Sequence, residues 1–185
     1  AMTLGLVGCG HIGAETASRA RAFKMRVLVC DPWAQPSRIQ ELGASLVSLE
    51  ELQRQSDVIS LHLPLTEENI SMVNAGFLSS MKPGSFLVNT ARGGLVDEAA
   101  LIEALQSGHL AGAGLDCQAT EPPEGVSLEL VRLPSVVAMP HSASNTITAR
   151  ERMSRVAAQA IVDCLRGRRP EFVVNPAVLD KLDLE

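Results

Sequence analysis

No apolar run in this 185-residue sequence approaches the ~18 residues that a membrane-spanning helix requires. No block of like charges and no basic arm is present, and the formal net charge is −5, which argues against a nucleic-acid surface. The N-terminus lacks the basic stretch that opens a secretory signal. The four cysteines, Cys9, Cys30, Cys117 and Cys164, show no metal-ligand spacing. They read as reduced thiols of a cytoplasmic protein, and no metal site is expected. Internal repeats and low-complexity segments are also missing. What remains is an ordinary globular composition, 46% apolar and 20% charged. The length suits one domain with a sizeable core, or a domain with an appendage.

The chain is organised around Thr3–Gly13, TLGLVGCGHIG. Its first half is an apolar run suited to a buried parallel strand. Its second half reads G-x-G-x-x-G, and the Ala-rich stretch 14–22 should be helical. In that setting Gly8 permits the tight turn out of the strand, Gly10 lets a pyrophosphate approach the backbone, and Gly13 lets the helix pack against the strand. Free N–H groups at the helix start face the phosphates. The next apolar run, Met25–Cys30, ends at Asp31, 18 residues past Gly13, where the fold expects an acid for the adenosine ribose hydroxyls. A carboxylate accepts hydrogen bonds from those hydroxyls and repels a 2′-phosphate, so NAD is favoured over NADP.

Beyond this unit the pattern alternates. Strands are expected at 45–47, 57–63, 85–89, 111–116 and 135–139. Helices are expected at 37–43, after a capping box at Ser48–Glu51, at 74–81, at 97–106 behind an Asp97 cap, and from Asn145 to Leu165. In the last of these Met153, Val156, Ala157, Ala160, Ile161 and Cys164 recur at helical spacing. Strands alternating with helices imply a Rossmann-type, doubly wound, mostly parallel seven-stranded α/β sheet with helices on both faces. Ligands on such sheets bind beyond the carboxyl ends of the strands.

An arginine, a glutamate and a histidine fall at that edge. Arg92 follows the fifth strand, Glu121 lies beyond the sixth, and His141 follows the seventh. Arg92 offers a planar fork of donors for a carboxylate and an adjacent carbonyl. His141 supplies an imidazole, the side-chain type best suited near neutral pH to move a hydroxyl proton. Glu121 can orient that histidine and stabilise its charged form. With a nicotinamide, these groups make a dehydrogenase that interconverts small 2-hydroxy and 2-keto acids.

The runs Leu87–Glu98 (LVNTARGGLVDE), Gly112–Asp116, Glu121-Pro122 and Pro140-His141 together resemble the D-isomer-specific 2-hydroxyacid dehydrogenases. Leu61–Thr66 and Val174-Asn175-Pro176 also match that family's pattern. The resemblance covers essentially the whole chain. It implies that Arg92, Glu121 and His141 are the catalytic residues. It implies cofactor contacts at His11, Ile12, Asp31, Leu63, Pro64, Asn69, Thr90, Ala91, Arg92, Asp116 and His141, with Asp116 on the nicotinamide carboxamide. A homodimer built through the cofactor domain is implied as well.

The family's C-terminal-binding protein corepressors act instead as NAD-dependent adaptors. They place a tryptophan three residues after the histidine, where this chain has Ser144. Two further departures are Ala143, where the family usually has glycine, and Asn69, where it often has threonine. The expected organisation is one NAD-binding domain over residues 1–185, with 144–185 as a return helix and tail. The N-terminal half of the substrate domain is expected to be absent. Ala1-Met2 looks like a cloning scar. An excised cofactor-binding fragment with little turnover of its own is the expectation that follows.

Overall fold

Seven strands line up side by side in the computed structural model, which describes residues 1–181. Residues 182–185, the end of the expected tail, lie outside the described residues. The strands are β1 (Thr3–Val7), β2 (Arg26–Cys30), β3 (Ser45–Leu46), β4 (Val58–Leu61), β5 (Ser85–Asn89), β6 (Leu110–Leu115) and β7 (Val136–Ala138). Their order is β3-β2-β1-β4-β5-β6-β7, and every neighbouring pair is parallel. This is the doubly wound arrangement expected, with its reversal of strand order beside β1.

The helices are α1 (His11–Ala22), α2 (Pro36–Glu41), α3 (Leu49–Gln55), α4 (Ala75–Ser80), α5 (Glu98–Gln106), α6 (Gly125–Val131) and α7 (Ile147–Leu165). Two apolar clusters form the core. Leu4 and Leu6 of β1 pack with Val27, Val29, Ala17, Ala20 and Ile39. Val7, one pleat over, joins the larger cluster of Leu52, Ile59, Leu61, Leu78, Leu87, Leu101 and Leu130. Alternate side chains of a strand point to opposite faces, so β1 is buried from both sides, as parallel strands require.

Several details differ from the expected elements. The α1 helix starts at His11 rather than Ala14, because its first turn lies inside the glycine motif. Strand β4 runs from Val58 and stops at Leu61, short of the expected Leu63, although the His62 N–H still donates to the Val7 carbonyl at 2.8 Å. Helix α6 was not expected: Gly125 opens it, no side chain caps it, and its seven residues carry little periodic signal. The capping box at Ser48 is half formed. Ser48 accepts the Glu51 N–H, but the Glu51 carboxylate takes the Gln55 amide instead.

Contacts divide the chain into two compact units, Ala1–His141 and Ser142–Glu185. The first holds the sheet. In the second, Thr146 caps α7 by accepting the Ala149 N–H, and Asp163 pairs with Arg168. No residue of α7 is buried.

The register decides where function can sit. Cys30, Val7, Leu61, Asn89, Leu115 and Ala138 are successive partners in one row across six strands. Gly8, Asp31, His62, Thr90, Asp116 and, three residues on, His141 all follow that row.

Candidate active site and cofactor cavity

At the β1–β2–β4 end of this edge lies a cavity of about 760 Å³. Gly8, Gly10, Asp31, Leu63, Pro64 and Asn69, all expected from the sequence, line it. Gly8 has φ +88°, and a Cβ there would stand 2.6 Å from the His62 carbonyl oxygen. A Cβ on Gly13 would stand 2.7 Å from the Gly8 carbonyl oxygen, so these two glycines seat the turn on its neighbours. A Cβ on Gly10 would meet nothing within 4 Å; that glycine leaves its side open to the cavity, as a phosphate-approach position should. His11 and Ile12 sit exposed on the first turn of α1, beside the cavity rather than in its wall.

Asp31 is locked in place. Its Oδ2 accepts the Cys9 N–H at 2.8 Å and its Oδ1 accepts the Trp33 N–H at 2.9 Å. The acid thereby ties the glycine turn to the end of β2. Asn69 turns out to be a loop brace: its Oδ1 accepts the Thr66 N–H at 2.7 Å and its Nδ2 donates to the Pro64 carbonyl at 2.8 Å.

The cavity residues not foreseen include Trp33, Leu49, His62 and Met72. No signal in the sequence sets His62 apart, because it sits within the run 57–63 expected as a strand; the fold ends β4 at Leu61 and puts His62 on the ligand edge. Its Nε2 lies 3.0 Å from Ser60 Oγ, and burial pushes the imidazole below its ordinary value, so it stays neutral at pH 7.

The other end of the edge carries the acid–base groups. His141 Nδ1 sits 2.9 Å and 3.1 Å from the two carboxylate oxygens of Glu121. The His141 contact, first of all, and the Gln118 N–H hold the Glu121 carboxyl below the usual carboxylate range. With Nδ1 engaged, Nε2 is the nitrogen left to exchange a proton with a substrate. His141 has φ +49°, a left-handed conformation that non-glycine residues seldom take.

Arg92 is exposed, and its Nη1 donates to the Ala91 carbonyl at 2.6 Å. Its loop is braced by Asn89, which is fully buried. Asn89 Oδ1 accepts the Ala91 N–H at 3.0 Å, and Nδ2 donates to the Arg92 carbonyl at 2.9 Å. Thr90 is exposed beside it. Asp116 is buried at the end of β6, its N–H bonded to the Asn89 carbonyl. The Cys117 thiol is pushed up to about 11 by burial first, then by the charges of Glu121 and Asp116, against the opposing pull of Arg92.

Residues 1–143 match the family described as D-isomer specific 2-hydroxyacid dehydrogenase, NAD binding domain. The chain belongs to this family. It is 43% identical over 177 residues to a glyoxylate reductase of Thermococcus litoralis, covering 96% of this chain and 53% of that protein. It is 44% identical over 179 residues to a D-3-phosphoglycerate dehydrogenase of Bacillus subtilis, covering 97% of this chain and 34% of that one. Among solved structures, a D-lactate dehydrogenase with NAD+ from Lactobacillus jensenii superposes with a TM-score of 0.88 at 34% identity. That match covers 94% of this chain and 55% of the other. The chain thus spans between about a third and about half of the relatives it matches. As a member of an NAD-binding family it has the fold and the cofactor class that the glycine motif led one to expect.

Proposed function

We propose that this chain is the cofactor-binding part of an NAD-dependent D-2-hydroxyacid dehydrogenase. The observation that carries the reading is the His141–Glu121 pair on the same strand edge as a glycine-turn cavity closed by an aspartate. That cavity fits NAD: Gly10 leaves room at the turn, apolar walls suit an adenine, and Asp31 presents an acceptor for ribose hydroxyls. Gly8, Gly10, Gly13, His11, Ile12, Asp31, Leu63, Pro64 and Asn69 would surround the adenosine and pyrophosphate, and Thr90, Ala91 and Asp116 the nicotinamide end. NADH, when bound, supplies a hydride to the carbonyl carbon of a 2-keto acid. Arg92 grips the carboxylate and polarises the carbonyl with its planar fork. The carbonyl oxygen takes its proton from His141 Nε2 as negative charge develops there. Glu121 fixes the ring through Nδ1 and balances its charge.

On this reading the relatives' reductase and dehydrogenase chemistry extends to this protein, while the adaptor alternative has no observation in its favour. Residues 144–185 are read as the return helix and tail of the same domain. The substrate's far side is met outside this chain, so the 185 residues alone turn over weakly. The protein is read as a cytoplasmic homodimer, checked by light scattering at micromolar concentration.

Calorimetric titration with NADH and NADPH tests the cofactor half. NADH should bind more tightly, and Asp31→Ser should erode the preference. Equal or tighter NADPH binding by the unaltered chain overturns it. NADH oxidation at 340 nm with glyoxylate, hydroxypyruvate and 3-phosphohydroxypyruvate tests the chemistry in a full-length protein that contains this chain. His141→Ala should abolish it, and full activity in that variant removes the mechanism.

A further inference from the structure

Glu98 is a buried carboxylate that the chemistry above does not use. It stands at the first residue of α5, where an acid commonly serves the helix start. That service is already performed by Asp97, whose Oδ1 accepts the Ala100 N–H at 3.1 Å. Glu98 turns the other way, to the segment after β6. Its Oε1 accepts the Ala119 N–H at 2.9 Å, and its Oε2 accepts the Ser127 hydroxyl. Ser127 Oγ in turn accepts the Thr120 N–H at 3.2 Å. The Gln118 N–H goes to Glu121 Oε1 at 3.1 Å. Three successive N–H groups, at 118, 119 and 120, thus each have an acceptor, and two of the three are anchored to Glu98 directly or through Ser127. The next residue is Glu121.

We propose that Glu98 is a positioning residue for the Glu121–His141 pair, acting through the 118–121 segment. The proposal rests on the functional reading above for its catalytic consequence, not for its geometry. The same brace reaches Arg92. A Cβ on Gly93 would stand 2.0 Å from the Gln118 carbonyl, so the loop carrying Arg92 and the segment leading to Glu121 meet backbone to backbone. Glu98 lies five residues past Gly93 on the same connection. It pins the second loop to the element that begins with the first. Arginine and imidazole are therefore held on one frame, and a buried carboxylate with two strong acceptor bonds sets their separation.

Removal of the side chain frees the Ala119 N–H and leaves Ser127 without its acceptor. Glutamine can restore the geometry: its amide oxygen accepts the Ala119 N–H, and its NH2 donates to Ser127 Oγ, which still accepts from Thr120.

The decisive measurement is the tautomer of His141 in the nitrogen-15-labelled 185-residue chain at alkaline pH, where an imidazole is neutral. Wild type and Glu98→Gln should hold the ring proton on Nδ1. Glu98→Ala should show both tautomers in exchange, with a cooperative unfolding transition retained. A folded Glu98→Ala with an unchanged tautomer overturns the proposal. If Glu98→Ala does not fold, Ser127→Ala takes its place: it releases Thr120, and an unchanged His141 tautomer there overturns the proposal equally. In a full-length protein that contains this chain, Glu98→Ala should lower kcat for glyoxylate reduction by about tenfold or more, with KM for NADH unchanged. Glu98→Gln should keep most of it. A wild-type protein that reduces no 2-keto acid removes the functional reading and leaves the tautomer result to judge Glu98 by itself.

Discussion

Gln118 is the residue whose environment asks most for a change. It is 6% exposed, and among the described residues its Nε2 has no hydrogen-bond partner. A buried unpaired amide costs its full desolvation, while its backbone N–H is separately satisfied by Glu121. Gln118→Met keeps length and shape and removes the polar atom. The unfolding free energy should rise by about 1 kcal/mol in urea melts, with NAD affinity untouched. A loss of stability would mean the amide is engaged after all. Residues such as Asn89 and Glu98 belong to the same class of buried polar side chains, but theirs have partners: backbone groups for Asn89, and the Ala119 N–H and the Ser127 hydroxyl for Glu98. Nothing in a linear sequence marks an asparagine at the end of a strand as a brace rather than a ligand.

At the scale of elements, the turn after β5 and the segment after β6 are the tightest junction in the site. Gly93→Ala would drive a methyl group into the Gln118 and Ala119 backbone, which cannot yield as a flexible side chain would. The expected result is a loss of about 2 kcal/mol or more by thermal melting. Affinity for ADP-ribose should hold in calorimetry, because the adenosine cavity lies at the β1–β2–β4 end. A variant that melts like wild type would contradict the contact. This junction was only half legible. The alternation of strands and helices could be read because apolar runs of five residues, glycine stops and the Asp97 and Asn74 caps each leave a local mark. The acid, the glycine turn, Arg92 and His141 could be placed because each follows a strand. Helix α6 left no such mark, and its Ser127 reveals its purpose only when folded against Glu98. The early end of β4 was equally hidden, since His62 and Leu63 continue the apolar run while serving the cavity wall.

At the scale of the whole molecule, acid is the condition that should separate what holds the sheet from what only decorates it. Asp57 accepts the Thr3 N–H at 2.7 Å and the Lys82 ammonium at 2.5 Å, joining the start of β1 to the turn before β5. Lys82 first, then the Thr3 N–H, hold its carboxyl below the usual range. A group lowered in the fold stabilises fully above its unfolded value and loses that contribution as pH falls through the folded one. Stability should therefore fall below the ordinary carboxylate range, and Asp57→Asn should flatten that decline while being less stable at pH 7. Urea midpoints across pH give the answer; parallel curves would deny Asp57 the role. The thiols carry a different consequence. Burial makes Cys9, Cys30 and Cys117 poor nucleophiles, the last at about 11, whereas Cys164 is exposed on α7. At neutral pH iodoacetamide should add one equivalent, at Cys164, as mass spectrometry of the digest would report. The protein then comes with a single natural handle for a fluorophore, which would report on the second unit without touching the chemistry of the first.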